Sequence, residues 1–141
     1  TSLAMSAMTT TMNRVNAVYE REASIRMEFV ANNESLIYLN AASDPYSNGQ
    51  AGAMLNENQN TCNSVIGTNG YDIGHVFGTN SGGIASLGSV CNPSQKGRGV
   101  TGSGNPIGDP FDIDYVCHEM GHQFSGNHSF NNCSGNENAI V

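Results

Sequence analysis

The sequence predicts an α/β domain built in layers, of the α+β kind, and three observations carry that prediction. Apolar residues recur at spacings of three and four near both ends, as amphipathic helices require. Short apolar stretches separated by turns fill the middle, as strands require. The two patterns interleave along the chain, which favours helices layered on a mostly parallel sheet. With 141 residues there is room for one domain, spanning 1–141, around one core.

The first helix covers residues 3–22, with Met5, Met8, Met12, Val15 and Tyr19 forming one apolar stripe. The stretch "SIRMEFVAN" (24–32) alternates, placing Ile25, Met27 and Phe29 on one face of a strand. A second strand is predicted over "SLIYLN" (35–40), before Pro45 and Gly49 break the chain. A second helix follows over 50–66, with Met54, Leu55, Cys62, Val65 and Ile66 on its buried face. "YDIGHVF", "GGIASLGSV" and "GRGVTGS" are the candidate strands of the glycine-rich middle. The last helix starts near Asp109 as N-cap, with Pro110 in the first turn and Ile113, Val116, Met120 and Phe124 as its stripe.

Composition excludes several functions. Five basic residues against twelve acidic give a net charge of -7, which argues against nucleic acid and against an anionic membrane surface. There is no apolar run long enough for a membrane span, and the N-terminal stretch does not read as a signal peptide. Charged residues make up only 12%, so Asn, Ser, Thr and Gly carry the polar surface, as is common in secreted proteins. Cys62, Cys91, Cys117 and Cys133 show no CxxC pair, so disulfides in an exported protein are favoured over a four-cysteine metal site, with the pairing left open.

The stretch "CHEMGHQFSGNH" holds three of the four histidines. His118 and His122 are four apart, so on a helix they differ by about 40° around the axis and one turn along it, and both rings can reach one ion. Met120 falls on the opposite, apolar face. Glu119 points beside the ion, where a carboxylate can take a proton from water. A straight helix would carry His128 about 9 Å past His122 along the axis. The chain must therefore bend, and Gly126 can end the helix at positive φ and return His128 as third ligand. Three histidines leave a zinc vertex open, as catalysis needs. His75, far upstream, reads as a packed strand histidine with no partner in sight.

"HEMGHQFSGNH" resembles the extended zinc signature of metzincin metallopeptidases. With "YDIGHVF", "GGIASLGSVC", "GRGVTG", "DIDYVCHEMGHQF" and "NHSF", the chain resembles the bacterial reprolysin-like group, and is similar to pappalysins near the third histidine. The resemblance implies a twisted mixed sheet with an active-site helix beneath a cleft. It implies His118, His122 and His128 as zinc ligands, Glu119 as general base, and a secreted endopeptidase made with a propeptide. It also implies an edge strand that pairs with extended substrate, placed here at Ile84, Ala85, Ser86 and Leu87. Calcium is a second candidate ion, with Asp44, Asp72, Asp109, Asp112, Asp114 and Glu137 near loops. A zinc-holding binding or adhesion module without turnover is the alternative.

Three positions depart from the family pattern. Ser125 stands where a glycine is usual, so either the turn shifts to Gly126 or Ser125 takes the left-handed conformation. Cys117 stands where a small residue is usual, and reads as helix packing rather than a thiolate near the metal. No methionine follows Met120 for the family's Met-turn, so the sequence is expected to be a piece of a longer catalytic domain.

Overall fold

The computed structural model describes residues 1–79 and 82–128. The chain begins with α1 (Ser2–Ala23) and a 3₁₀ turn at Asn33–Leu36, followed by α2 (Ala51–Val65). Strands β1 (Val76–Gly78), β2 (Gly82–Ala85) and β3 (Gly99–Gly102) come next. A last helical rod follows, made of α3 (Asp109–Phe111), a π-helical segment (Asp112–Cys117) and α4 (His118–Gln123). The fold is α+β.

The sheet order is β1-β3-β2. β1 pairs with β3 in parallel, Val76 opposite Val100, and β2 pairs with β3 antiparallel, Ile84 opposite Val100. The sheet is thus mixed rather than mostly parallel. Alternation along β3 divides the molecule, because neighbouring side chains of a strand point to opposite faces. Val100 packs with Met54 and Leu55 of α2. Thr101 faces the other way, toward the side where Phe77 of β1 joins the cluster of Val15, Tyr19, Phe111, Val116 and Met120. Hence α2 covers one face of the sheet, and α1 with the last rod covers the other.

Several sequence expectations need correction. The two strands expected over 24–32 and 35–40 do not join a sheet; residues 24–30 enter no ladder and the second stretch starts in the 3₁₀ turn. The alternation in 24–32 was partly genuine, since Ile25 and Met27 pack against the core while Phe29 is exposed. Met27 is held by a side chain instead of a ladder: its N–H donates to Asn16 Oδ1 at 2.9 Å, and its carbonyl accepts from Asn16 Nδ2 at 2.8 Å. Gly108, not Asp109, is the cap of the last rod, and Asp109 is its first residue. Val65 on α2 is exposed, whereas Asn58, Gln59 and Thr61 are buried there.

The expected disulfides do not occur among the described residues: Cys62, Cys91 and Cys117 are free thiols. Cys62 is buried on α2 against Asn58, Cys91 is exposed in a turn, and Cys117 packs on the core before α4. Burial raises the Cys117 pKa, which fits packing and not a reactive thiolate. Cys133 and Glu137 lie outside the described residues. No described helix is long and apolar enough to cross a membrane.

Candidate metal centre

Three imidazoles meet at the end of the last rod. His122 Nε2 lies 3.1 Å from His118 Nε2, and His128 Nε2 lies 3.2 Å from the same atom. One ligand atom from each ring falls within 4.8 Å of the others, and they are the group of three among the described residues that could hold a metal ion. Zinc–nitrogen bonds of about 2.0–2.1 Å at a tetrahedral centre put neighbouring nitrogens about 3.3 Å apart. The observed spacing therefore fits.

The helix end supplies this geometry. Ser125 takes φ 73°, the left-handed conformation that ends helices. Its N–H donates to the His122 carbonyl at 2.9 Å, and the Gly126 N–H reaches back to the Gly121 carbonyl at 2.8 Å. This pair of bonds is a Schellman cap. The bend thus pivots at Ser125 in the place of the usual glycine, the second of the two turns the sequence allows, and not at Gly126. The cap does a second job. It brings the Gly126 carbonyl 2.6 Å from His122 Nδ1. A carbonyl only accepts, so Nδ1 carries the proton and Nε2 presents its lone pair to the cleft.

Glu119 is 8% exposed. Burial raises its carboxyl above the ordinary range, while the nearby His122 and His128 rings oppose that shift. Burial and His122 lower the pKa of His118, which keeps that ring neutral and able to ligate. The Glu119 carboxylate lies against Gly83 of β2, where any Cβ would overlap it. Helix and strand therefore approach closely because residue 83 has no side chain. The "GG" at 82–83 was the sequence signal for this contact. β2 is the edge next to β3, with Ile84 and Leu87 exposed, but the strand ends at Ala85, so Ser86 and Leu87 lie just beyond it.

The rod before the site is anchored by α1. Thr11 Oγ1 donates to Asp112 Oδ1 at 2.7 Å, Arg14 lies 3.3 Å from the other Asp112 oxygen, and the Tyr19 hydroxyl donates to the Cys117 carbonyl at 3.0 Å. Asp109 pairs with the same Arg14. Two of the acids considered for calcium are thus occupied by α1, and Asp44 accepts the Tyr46 N–H in a local turn.

Comparison with protein families places the chain. Residues 5–129 match the model of the reprolysin-like metallopeptidases of family M12B. The chain belongs to that family. A comparison with curated proteins found no match. For a reprolysin-like metallopeptidase a zinc-dependent peptidase activity on peptide or protein substrates follows, and the histidine cluster stands where a metal can be held.

Sequence reasoning missed two groups at this site. His75 is not partnerless: its ring is bonded at both nitrogens, to Gln123 and to Thr101. Gln123, the residue after His122, is fully buried. A carboxamide seven residues after Val116, and so on the apolar side of an otherwise amphipathic helix, was the available signal.

Proposed function

We propose that this chain is a secreted zinc endopeptidase in which His118, His122 and His128 hold the metal and Glu119 is the general base. The convergence of three imidazole nitrogens, with the His122 tautomer set by Gly126, carries the reading. A bound zinc ion would supply Lewis-acid activation of water and of the scissile carbonyl. Glu119 receives the proton released by that water and delivers it to the leaving amine. Burial raises its pKa, the direction that makes a carboxylate a better proton acceptor. An extended peptide lies along β2, and Gly83 lets it run close to Glu119; the strand's edge position and the exposed Ile84 support this placement. Export is supported by the low content of charged residues.

Hydrolysis of a quenched peptide should cease when a chelator strips the wild-type chain and return with added zinc. Glu119→Gln should lower kcat by about 10²–10⁴-fold with zinc content unchanged. Wild-type turnover by that variant would remove Glu119 from the role. Turnover indifferent to chelation would remove the metal.

A further inference from the structure

Gln123 is the last residue of α4 and follows His122 directly. At about 100° per residue it points away from the ligand face. Its amide orientation is dictated by its neighbours. The side-chain nitrogen lies 3.1 Å from the Gly74 carbonyl and 3.4 Å from the Lys96 carbonyl. Both groups only accept, so the NH₂ must face them and the oxygen must face His75. That oxygen is 2.7 Å from His75 Nδ1, so Nδ1 carries the proton. His75 Nε2 is then an acceptor, and the Thr101 hydroxyl donates to it at 2.8 Å. Burial pushes the His75 pKa down to about 4, so the ring is neutral at pH 7 and this chain of donors has one direction.

The chain of bonds ties three pieces together: the middle of β3, the lead into β1, and the end of α4. It has no slack, because a Cβ on Gly99 would overlap both the Gln123 oxygen and the His75 ring. α4 needs such a tie. It has six residues and follows a π-helical segment, whose wider turns break the ordinary helical phase. From the neighbouring loop its backbone end is held by the Gly88 and Val90 N–H groups, on the carbonyls of His122 and Gln123.

We propose that Gln123 and His75 are positioning residues: their bond fixes the rotation of α4 against the sheet and so keeps His118 and His122 turned to the cleft for zinc. This rests on the zinc reading above.

The test uses the full chain, stripped of metal, with zinc affinity measured by competition against a chromophoric chelator. Gln123→Met keeps the size of the side chain and deletes its hydrogen bonds. It should weaken zinc binding about 10–100-fold, the range for groups that orient ligands, and should alter the visible spectrum of the cobalt(II)-loaded protein. His75→Asn, which retains a donor near the Nδ1 position, should recover most of the affinity, and His75→Leu should not. A pair that only stabilises the fold would lower the melting temperature of the metal-free chain and leave zinc affinity and cobalt spectrum at wild type; that result overturns the inference. If Gln123→Met does not fold, Thr101→Val decides the matter, since it deletes only the outermost bond: a several-fold loss of zinc affinity supports the inference and wild-type affinity overturns it. Failure of the wild-type chain to bind zinc would overturn the peptidase reading with it, whereas wild-type affinity in the variants overturns this inference alone.

Discussion

Around α2, the loop before β3 and α4, the chain is joined by side-chain amides. Asn58 bonds the Gly97 carbonyl at 2.6 Å and the Tyr46 hydroxyl at 2.9 Å; Gln59 accepts the Gly97 N–H at 2.7 Å; Gln123 reaches His75. Around α1 and residues 24–38 the hydrogen bonds of Thr11, Asn16 and Tyr19 act beside a larger apolar wall, which borders a partly open cavity of about 680 Å³ whose lining includes Met8, Met12, Met27, Ile37, Val76 and Phe77. The difference teaches what each force is good for. Hydrogen bonds are directional and fix an orientation, which a ligand helix needs. Apolar burial is indifferent to direction and holds elements together without setting their rotation. The amide-joined region lies behind the site, and the more apolar region packs α1 against the rod that leads to it, with Thr11 and Tyr19 adding the directional contacts.

The largest effect should come from breaking the amide-joined region at its tightest point. Gly99→Ala forces a methyl between Gln123 and His75, and should cost about 4 kcal/mol by denaturant unfolding, from overpacking and lost buried hydrogen bonds. A cost under about 1 kcal/mol would show that this region has slack.

Acid sharpens the same contrast. His75 is held at about 4, below its ordinary 6.5, so between those pH values the unfolded chain binds the extra proton and the folded one does not. Its contribution is complete above pH 6.5 and is lost as pH falls through about 4, for a total of about 3 kcal/mol. The raised Glu119 carboxyl works in the opposite sense and the lowered His118 in the same one. The His75 share is therefore read as the difference between wild type and His75→Asn, measured metal-free. Parallel stability curves for the two would show that His75 is not buried neutral.

Packing should separate the regions next. Met54→Ala, at a side chain 1% exposed, should cost about 3 kcal/mol, and Met8→Ala beside the cavity under about 1 kcal/mol. Equal costs would mean that the cavity wall is as closely packed as the α2 face. The smallest effect concerns the cap. Ser125→Gly relieves a left-handed non-glycine residue and should change stability by less than about 1 kcal/mol, in the stabilising direction. A loss of zinc affinity in that variant would show that the serine, and not the turn alone, sets His128.

Legibility in the sequence followed the range of the interactions. The spacing of His118, His122 and Glu119 could be read because one helical turn fixes it. The need for a bend before His128 could be read as well, but not whether Ser125 or Gly126 would make it, since both residues tolerate the turn and the competition is settled by which carbonyls the helix end must satisfy. The alternation in 24–32 reported which side chains face the core and could not report a pairing partner. The strand read over 82–90 starts where β2 starts and stops five residues earlier, at Ala85.

By itself the sequence determined the main helices, the ligand helix and the three histidines, because periodicity, turn chemistry and i, i+4 spacing act within a few residues. Only the tertiary structure decided that Gly83 lies against Glu119, that α2 and the ligand helix take opposite faces of β3, and that His75 meets Gln123 across 48 positions of chain. Such contacts depend on strand register and on which faces share a core. These are set by the summed burial of the whole domain, and no short window of residues contains that sum.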